Sequence, residues 1–348
     1  MTDDHAISRN GGSPTKQAKL NSGKDDRLTM AYLGPPGTYG EMAAAAFKSC
    51  YNVDIDLVPC PSISAIWERT ANFHVLPLEN TIHGGVTETL DCLLSNLNPF
   101  TEDESSIEKV KRKRRIVADL ALPISHCLVV RKGTRKEDIR WIRSHEQALG
   151  QSSKYLKTQY PGVKLKTWPS TAGAAVTLLS PSDEDLAEGP GAALCAKAAA
   201  KLYQNELDIL FEGTQGISDN YTRFILLSDS KTSSTHTPSS IPNPNPTEFY
   251  ILPAASDIIP FLQSSQIRNI HTRPTPTSSS AQQTEEVNSS GEVWKYREER
   301  FPTLYFIEVD QQSIKGDVAV KRNEEGENKE WALGKASWRV TDTQLKAI

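Results

Sequence analysis

Thr222 and Arg223 place a hydroxyl and a permanent cation side by side, directly before an apolar run. The segment reads GISDNYTRFILLSD, and its residues Phe224 to Leu227 predict a strand that enters a core. An arginine at the mouth of such a strand needs an anionic partner, because an unpaired buried charge is costly. From the residues alone, that partner is either a structural carboxylate or an anionic ligand.

A second polar group follows a predicted strand in LPLENTIHGGVTETLD. Glu79 and Asn80 stand where the apolar residues stop, at the carboxyl edge of a parallel strand, and open α/β sheets bind ligands at that edge. Gly84 and Gly85 permit close approach of the backbone to a ligand. The structural alternative is that Asn80 forms a turn and Glu79 pairs with Arg223.

Several predicted helices begin next to polar side chains. In LGPPGTYGEMAAAAF, Thr38 and Glu41 fit a capping box after a Gly-rich turn, and the free N–H groups at a helix start suit a carboxylate or phosphate. WPSTAGAAV repeats this pattern at Ser170 and Thr171, while His145 either caps its helix or titrates near neutrality. If these helix starts face one cleft, they favour a small, multiply anionic ligand.

The elements around these residues alternate between short apolar runs and helical patterns from Met30 to about Asp229. Such alternation predicts parallel sheets with helical crossovers. Two series of α/β units joined by extended segments indicate two lobes, the second spanning roughly residues 120–215. Junctions of this kind are favoured places for small-molecule sites, so we expect the ligand between the lobes.

The domain boundaries follow changes in composition. Residues 1–28 are polar and predict a disordered tail, 29–229 form the two-lobed domain, and 230–247 read as a Ser/Thr/Pro linker that does not pack. Residues 248–344 predict a small α+β module with strands FYILPA, IRNIHTRP and TLYFIEVD, a helix around Ile258 to Ser265, and a long polar insertion. The segment NPFTEDESSIEKVKRKRR, an acidic stretch followed by a basic one, predicts a solvated surface insertion, with a nuclear-import or nucleic-acid role for KRKRR as the alternative.

Composition narrows the function classes. The chain has 348 residues with a formal net charge of −4, which gives no reason to expect a nucleic acid partner. Its five cysteines form no CxxC pair and its seven histidines form no ligand pattern, so we predict no metal. No apolar run approaches the ~20 residues that span a bilayer, and the N-terminus lacks an apolar signal region. We therefore expect a cytoplasmic protein that does not bind membranes.

Taken together, these segments resemble the prephenate dehydratase family. GPPGTYGEMAA resembles the family's GPxGT[FY]S…AA, LPLENTIHGGVTETLD its VPxENSxxGxVxxTxD, and RSHEQALGQ its SHPQALxQC. STAGAA matches STAxAA, ALCAKAAAKLY matches AAIxxxxAAxxY, and NYTRFILL matches NxTRFxxL. The blocks occur in family order over roughly residues 30–229, and it is the set rather than any single block that is specific.

The resemblance implies a fold and an activity. The fold would be two α/β lobes similar to a type-II periplasmic binding protein, followed by a small ACT-like domain. The activity would be the decarboxylative dehydration of prephenate to phenylpyruvate, without a cofactor. Alternatives are dehydration of arogenate, or a non-catalytic module that binds a small anion. The resemblance also implies a homo-oligomer and phenylalanine as an effector.

Residue roles follow from the same resemblance. It implies Thr222 as the catalytic residue, and Glu79 as a protonated acid is the rival proton donor. The residues assigned to substrate binding are Gly37, Thr38, Asn80, Thr81, Ser170, Thr171, Arg223 and Phe224. With prephenate as a dianion, the hypothesis is that Arg223 grips one of its carboxylates. The segment IHTRP stands where the family's ACT domains have IESRP, which implies effector contacts at Thr272, Arg273 and Pro274.

Overall fold

A computed structural model describes residues 27–95, 114–217, 219–228, 242–252, 267–274, 303–310 and 332–339, with single residues between 232 and 239. The predicted tail is outside these ranges except for its last two residues, since the first strand begins at Leu28. The charged insertion, the predicted helix at Ile258 to Ser265 and the long polar insertion also lie outside the described residues.

The first part of the chain alternates strands and helices as the sequence predicts. Its elements are β1 (Leu28–Leu33), α1 (Tyr39–Lys48), β2 (Ile55–Cys60), α2 (Ile63–Glu68), β3 (Phe73–Asn80), β4 (Gly84–Gly85), α3 (Thr87–Ser95) and β5 (Arg115–Pro123).

The second part continues in the same way. It comprises β6 (His126–Arg131), a 3-10 turn (Lys136–Asp138), β7 (Trp141–Ser144), α4 (Glu146–Gln151), α5 (Ser153–Gln159), β8 (Lys164–Thr167), α6 (Thr171–Thr177), α7 (Asp183–Glu188), β9 (Gly191–Ala196), α8 (Lys197–Leu202) and β10 (Leu207–Glu212). The chain then returns as β11 (Tyr221–Ser228), followed by β12 (Pro242–Leu252), β13 (Ile267–Pro274), β14 (Thr303–Asp310) and β15 (Ala332–Arg339).

Two sheets define two lobes, as predicted. The first sheet has the order β13-β14-β12-β15-β5-β11-β3-β1-β2, with β4 paired to β3, and the second has the order β10-β6-β9-β7-β8. Helix α1 packs on one face of the first sheet and helices α2 and α3 on the other. In the second sheet, α6 and α8 cover one face while α4 and α5 cover the opposite face.

The prediction of parallel sheets holds only for the strands that helices connect. β1 pairs in parallel with β2 and β3, and β7 pairs in parallel with β8 and β9. β11 is antiparallel to both β3 and β5, and β6 is antiparallel to β9 and β10. The chain passes between the lobes at β5–β6 and again at β10–β11, and those passages reverse the strand direction.

The C-terminal strands, β12 to β15, differ from the predicted arrangement. Neighbours β13–β14, β14–β12 and β12–β15 are all antiparallel. However, β15 also pairs in parallel with β5, so these strands extend the first lobe's sheet. The predicted ACT-like domain at residues 248–344 stays a prediction.

The segment predicted as an unpacked linker is partly structured. β12 begins at Pro242, and Ser239 bonds the Cys50 carbonyl through both its backbone N (2.7 Å) and its hydroxyl (3.0 Å). The alternating prolines of this segment are typical of a linker. Proline fixes φ near −65° and lacks an N–H group, and both properties are also compatible with an extended segment at the edge of a sheet. Composition therefore could not distinguish a linker from a strand here.

A buried charge cluster stabilises the second lobe. The Asp185 carboxylate accepts from Arg143 (2.7 and 3.1 Å) and from Lys166 (2.7 Å), and its side chain is only 3% exposed. The Arg143 guanidinium also lies 4.6 Å from the centroid of the Trp141 ring. Burial alone would raise the pKa of Asp185, but the hydrogen bonds from the two cations hold it well below its ordinary value.

We expect Asp185→Ala to lower the free energy of unfolding by about 3–5 kcal/mol, because it leaves the buried Arg143 guanidinium without its carboxylate, while Lys166 keeps its pair with Glu188. Since the native pKa is depressed, this stabilisation is present above about pH 4 and is lost as the pH falls further. Urea denaturation measures the effect. Asp138→Ala, which removes an exposed pair with Arg135, should barely move the midpoint. Equal shifts in the two variants would contradict this reading.

Candidate active site

A cleft of about 970 Å³ lies between the two lobes. Its first-lobe wall comes from the segments after β1, β2 and β3, and its second-lobe wall from β6 and the starts of α4 and α6. Of the residues assigned to substrate or catalysis, the cleft lining includes Thr38, Asn80, Ser170, Thr171, Thr222 and Phe224. A cavity therefore lies between the lobes, where the sequence predicts the ligand.

Helix starts converge on this cleft as the sequence predicts. Thr38 caps α1, with its Oγ1 3.3 Å from the Glu41 backbone N, and the Glu41 carboxylate accepts from the Gly37 N–H at 2.7 Å. Ser170 caps α6 and accepts from the Gly173 N–H at 3.0 Å. His145 caps α4 through its ring, so the capping alternative holds for this residue. The start of α3 completes the set through Thr87.

Thr222 and Asn80 form the central pair of the cleft. They are directly paired across β11 and β3, and the Asn80 Nδ2 lies 3.0 Å from the Thr222 Oγ1. The orientation of the Asn80 amide is fixed, because its Oδ1 accepts from the backbone N–H groups of Ile82 (3.0 Å) and His83 (3.1 Å). The NH₂ group must therefore face Thr222.

This orientation determines what the Thr222 hydroxyl does. Its oxygen accepts from Asn80, so its own proton is available for another acceptor. Within the described ranges, no side chain or carbonyl accepts that proton. Thr222 therefore presents a hydrogen-bond donor to the cleft.

A chain of amides leads from this pair into the second lobe. Asn80 donates to the Asn220 Oδ1 (2.9 Å), Asn220 donates to the Gln151 Oε1 (3.0 Å), and the same oxygen lies 3.1 Å from the His126 Nε2. The Gln151 Nε2 in turn lies 3.0 Å from the His83 Nε2. This network joins β3, β6, α4 and the approach to β11 around one end of the cleft.

Sequence reasoning missed most of this network. Asn220 and Gln151 are the terminal letters of two recognised blocks, NYTRF and RSHEQALGQ, and that position was the available signal. His126 begins β6 next to the apolar residues Cys127 to Val130, and it is only 3% exposed. Burial lowers its pKa, so its ring is neutral at neutral pH.

The electrostatic potential in the cleft is set by backbone dipoles at helix starts and by histidine side chains. Among the described residues that line it, there is no lysine or arginine, while His83, His126 and His145 are present. Positive potential must then come mainly from the backbone N–H groups at helix starts. Helices α1 and α3 are the longer two, with ten and nine residues.

Arg223 does not line the cleft, which corrects its assignment to the substrate. Its Nε lies 2.7 Å from the Asp119 Oδ2, and its Nη1 lies 3.1 Å from the Glu79 Oε1 and 2.5 Å from the Glu308 Oε2. Successive residues of a strand point to opposite faces, so Thr222 faces the cleft and Arg223 faces away from it. Of the two kinds of partner considered for Arg223, a structural carboxylate is the one found in this structure.

Glu79 is corrected for the same reason. It pairs with Arg223 across the two strands and lies on the face opposite to Asn80, so it cannot reach a ligand beside Thr222. Thr81 also lies outside the lining, where its hydroxyl donates to the Asp219 carbonyl and accepts from the Tyr221 N–H. Gly37 contacts the other lobe instead: a Cβ there would lie 2.7 Å from the Ala199 Cα.

Arg273, which is predicted to contact an effector, pairs with an acidic residue of α3 in this structure. Its Nε and Nη2 each lie 2.7 Å from an oxygen of Asp91, in a two-pronged pair between β13 and α3. Thr272 is exposed on the other side of β13. Pro274 ends that strand, and the effector roles of Thr272, Arg273 and Pro274 stay predictions.

Two of the departures from the family pattern have local explanations. A Cβ at Gly40 would lie 2.4 Å from the Leu33 carbonyl oxygen, so this approach of α1 to β1 leaves no room for a serine. Ser152, in place of the family's cysteine, is buried and its hydroxyl lies 2.8 Å from that of Thr214.

Metal and membrane sites are not seen in the part of the chain that the structure describes. No group of three or more His, Cys, Asp or Glu side chains is placed to hold a metal ion there. Nor does any helix in those ranges have the length and apolar character needed to cross a bilayer.

Comparisons with known proteins agree with the motifs. The family model for prephenate dehydratase matches residues 30–232. The chain is 32% identical over 212 residues to arogenate dehydratase/prephenate dehydratase 1 of Arabidopsis thaliana, covering 60% of this chain and 46% of the relative. It is also 32% identical over 211 residues to a prephenate dehydratase of Lactococcus lactis, covering 59% of this chain and 65% of the relative.

A solved structure shares the fold over most of the chain. The prephenate dehydratase of Arthrobacter aurescens in complex with L-Phe matches with a TM-score of 0.59 and 21% identity, covering 91% of this chain and 94% of that one. At this identity the likeness shows the fold alone. The alignments with the two sequence relatives span between about half and two thirds of their lengths.

Proposed function

Because the chain belongs to the prephenate dehydratase family, we propose that it converts prephenate to phenylpyruvate with loss of carbon dioxide and water. In this reaction the bond between the ring and its carboxylate breaks, and its electron pair enters the ring. The C–O bond of the ring hydroxyl breaks in turn, and the departing oxygen takes up one proton, drawn from solvent through the hydroxyl that donates to it, to leave as water. Formation of the aromatic ring supplies the driving force.

The single observation that carries this proposal is the donor geometry of Thr222. Asn80 occupies one lone pair of the hydroxyl oxygen, which leaves the proton free to meet the oxygen that departs. A donor aimed at developing negative charge stabilises the transition state more than the ground state. Glu79 takes no part in this step, since it lies on the other face of β3.

The two carboxylates of prephenate would be held without a cationic side chain. We assign one to the backbone N–H groups at the start of α1, beside Thr38, and the other to the start of α3. The hydroxyls of Ser170 and Thr171 complete the polar wall from the second lobe. Weak solvation of the ring carboxylate in such a cleft would also favour its loss as carbon dioxide.

Arogenate is the second candidate substrate, and one cleft residue favours it. Glu88 lines the cleft at the start of α3 and accepts from the Ser64 hydroxyl at 3.0 Å. Arogenate carries an ammonium group where prephenate has a keto oxygen, and a carboxylate would pair with that group. The same residue disfavours prephenate through repulsion.

We expect Glu88→Gln to raise the ratio of prephenate to arogenate turnover, by about 5-fold or less because the carboxylate is exposed. Steady-state rates with both substrates, followed as phenylpyruvate and phenylalanine, measure the ratio. Glu68→Gln, at the exposed end of α2 and outside the lining, is the control. An unchanged ratio in Glu88→Gln would remove the specific support for arogenate.

The experiment that tests the proposed function is a direct assay with purified protein. Phenylpyruvate absorbance with prephenate as substrate should rise with enzyme concentration. A strong preference for arogenate in the same assay would replace prephenate as the substrate. Binding of prephenate without turnover would instead favour the non-catalytic module.

Phenylalanine as an effector and a homo-oligomeric state are further parts of the proposal. The Arthrobacter aurescens protein is described in complex with L-Phe, which supports phenylalanine as an effector here. Arg273 would not contact phenylalanine without leaving Asp91. Adding phenylalanine to the prephenate assay tests this directly, and a cytoplasmic location remains an expectation from the sequence.

A further inference from the structure

A half-buried cluster lies directly behind the Thr222–Asn80 pair. We call it the Arg223 cluster, and it comprises Arg223, Glu79, Asp119, Glu308, Asn269 and His271. Arg223 is its only arginine or lysine, and it touches carboxylates from three strands: Glu79 on β3, Asp119 on β5 and Glu308 on β14. The ring of Phe249 on β12 covers the guanidinium at 5.5 Å.

Two of the elements in this cluster are C-terminal strands. Glu308 is 2% exposed, and its Oε1 has no hydrogen-bond partner among the residues described. Asn269 on β13 donates to the Glu79 Oε2 at 2.6 Å and to the His271 Nε2 at 3.0 Å. Burial raises the pKa of Glu308 and lowers the pKa of His271. The Arg223 guanidinium nevertheless holds the three carboxylates together, because it contacts each of them.

The cluster is joined covalently to the catalytic pair. In the register of β11 and β3, Thr222 is opposite Asn80 and Arg223 is opposite Glu79. Thr222 is thus next to Arg223 in the chain, and Asn80 is next to Glu79. Thr222 and Asn80 face the cleft, while Arg223 and Glu79 lie on the other face of the sheet. A shift of Arg223 or Glu79 must move Thr222 and Asn80 with it, because one peptide unit connects them.

Two further contacts tie β13 to the wall of the cleft. A Cβ at Gly85, a residue of the lining, would lie 2.8 Å from the His271 Nδ1, so the imidazole packs against that backbone. Arg273 forms its two-pronged pair with Asp91 on α3. Asn269, His271 and Arg273 alternate along β13 and all reach the β3–α3 segment, as residues on one face of a strand should.

We propose that Arg223, Glu79 and Glu308 are positioning residues through which the C-terminal strands hold the Thr222–Asn80 pair in its reactive geometry. This rests on the proposed function for the identity of the reaction. The two lobes alone would then be an incomplete catalyst, because Glu308 and Asn269 come from β14 and β13. None of these residues touches the substrate.

The test compares Glu308→Gln with Asp310→Asn. The first keeps the shape and an acceptor oxygen for Arg223 but removes the buried charge. The second is the matched control: it changes a carboxylate on the same strand that pairs with Arg268 within the C-terminal strands. We expect Glu308→Gln to lower kcat by about 10- to 100-fold, as small misplacements of reacting groups do, with KM within about 3-fold. Asp310→Asn should keep the wild-type kcat.

Amide hydrogen exchange gives a readout that does not depend on any substrate. In Glu308→Gln, peptides covering residues 78–83 and 219–224 should exchange faster, while those covering β7 to β9 stay unchanged. If Glu308→Gln proves unstable, Asn269→Ala tests the same coupling through Glu79 from a partly buried position. If both the kcat and the exchange rates of Glu308→Gln matched those of Asp310→Asn, the proposal would be wrong. Inactive wild-type protein would defeat the proposed function, and the exchange data would still decide the coupling.

Discussion

Replacing Thr222 with valine is expected to lower kcat by about 10²- to 10³-fold, the loss seen when one donor to a developing oxyanion is removed. Valine keeps the branched shape that β11 packs, so the strand and its pairing with β3 should survive. It removes only the hydroxyl that Asn80 orients toward the cleft. KM should change little, because the donor acts on the departing oxygen rather than on the carboxylates.

Thr222→Ser is the matched control, since it keeps the hydroxyl and removes one methyl group. It should retain most of the wild-type kcat. Steady-state assays on both variants, with circular dichroism to check the fold, make the comparison. If Thr222→Val turned over at the wild-type rate, the donor assignment would be wrong.

The second large effect is expected for Asn80→Asp, at about 10²-fold in kcat. The oxygen that accepts from Ile82 and His83 is kept, but the NH₂ group becomes a second carboxylate oxygen facing three acceptors: the Asn220 Oδ1, the Tyr221 carbonyl and the Thr222 Oγ1. The Thr222 hydroxyl would turn to donate to this carboxylate. The Thr222 hydroxyl proton would then no longer be available to the departing oxygen of the substrate.

Asn72→Asp is the control for Asn80→Asp. The Asn72 Oδ1 accepts from the backbone N and the hydroxyl of Thr29, and a carboxylate preserves both bonds. Its kcat should equal that of the wild type. A similar loss in both variants would mean that added negative charge in the first lobe, rather than the orientation of Thr222, explains the effect.

The positions of the helix starts could be predicted from sequence because capping is local. Thr38 and Ser170 bond backbone N–H groups three residues on, within their own helices. The order of strands and helices in the two lobes follows in the same way from the periodicity of apolar residues. Those local rules were enough to place Thr38, Ser170, Thr171 and Asn80 around one cleft.

The face on which Arg223 lies could not be predicted in the same way. Its partners Asp119 and Glu308 are 104 and 85 residues away in the chain, and neither stands in a recognised motif. The alternation of a strand does place Thr222 and Arg223 on opposite faces, and that was the available signal. The recognised NYTRF block suggests one shared role for two neighbouring residues whose side chains the backbone places on opposite faces.

The C-terminal strands show the same limit. IRNIHTRP reads as a strand with a recognisable motif, but sequence alone does not reveal that alternate residues of β13 contact Glu79, Gly85 and Asp91. These are contacts between segments more than 180 residues apart. Pairing of β15 with β5 is equally non-local.

The most direct measurement of the central claim uses prephenate labelled in its ring carboxylate, with wild-type protein and Thr222→Val side by side. Calorimetry would report binding, and release of labelled carbon dioxide would report turnover. We predict that both proteins bind prephenate with similar affinity and that only the wild type releases carbon dioxide at a catalytic rate, with one phenylpyruvate formed for each. Wild-type protein that binds prephenate and leaves it intact would contradict the account.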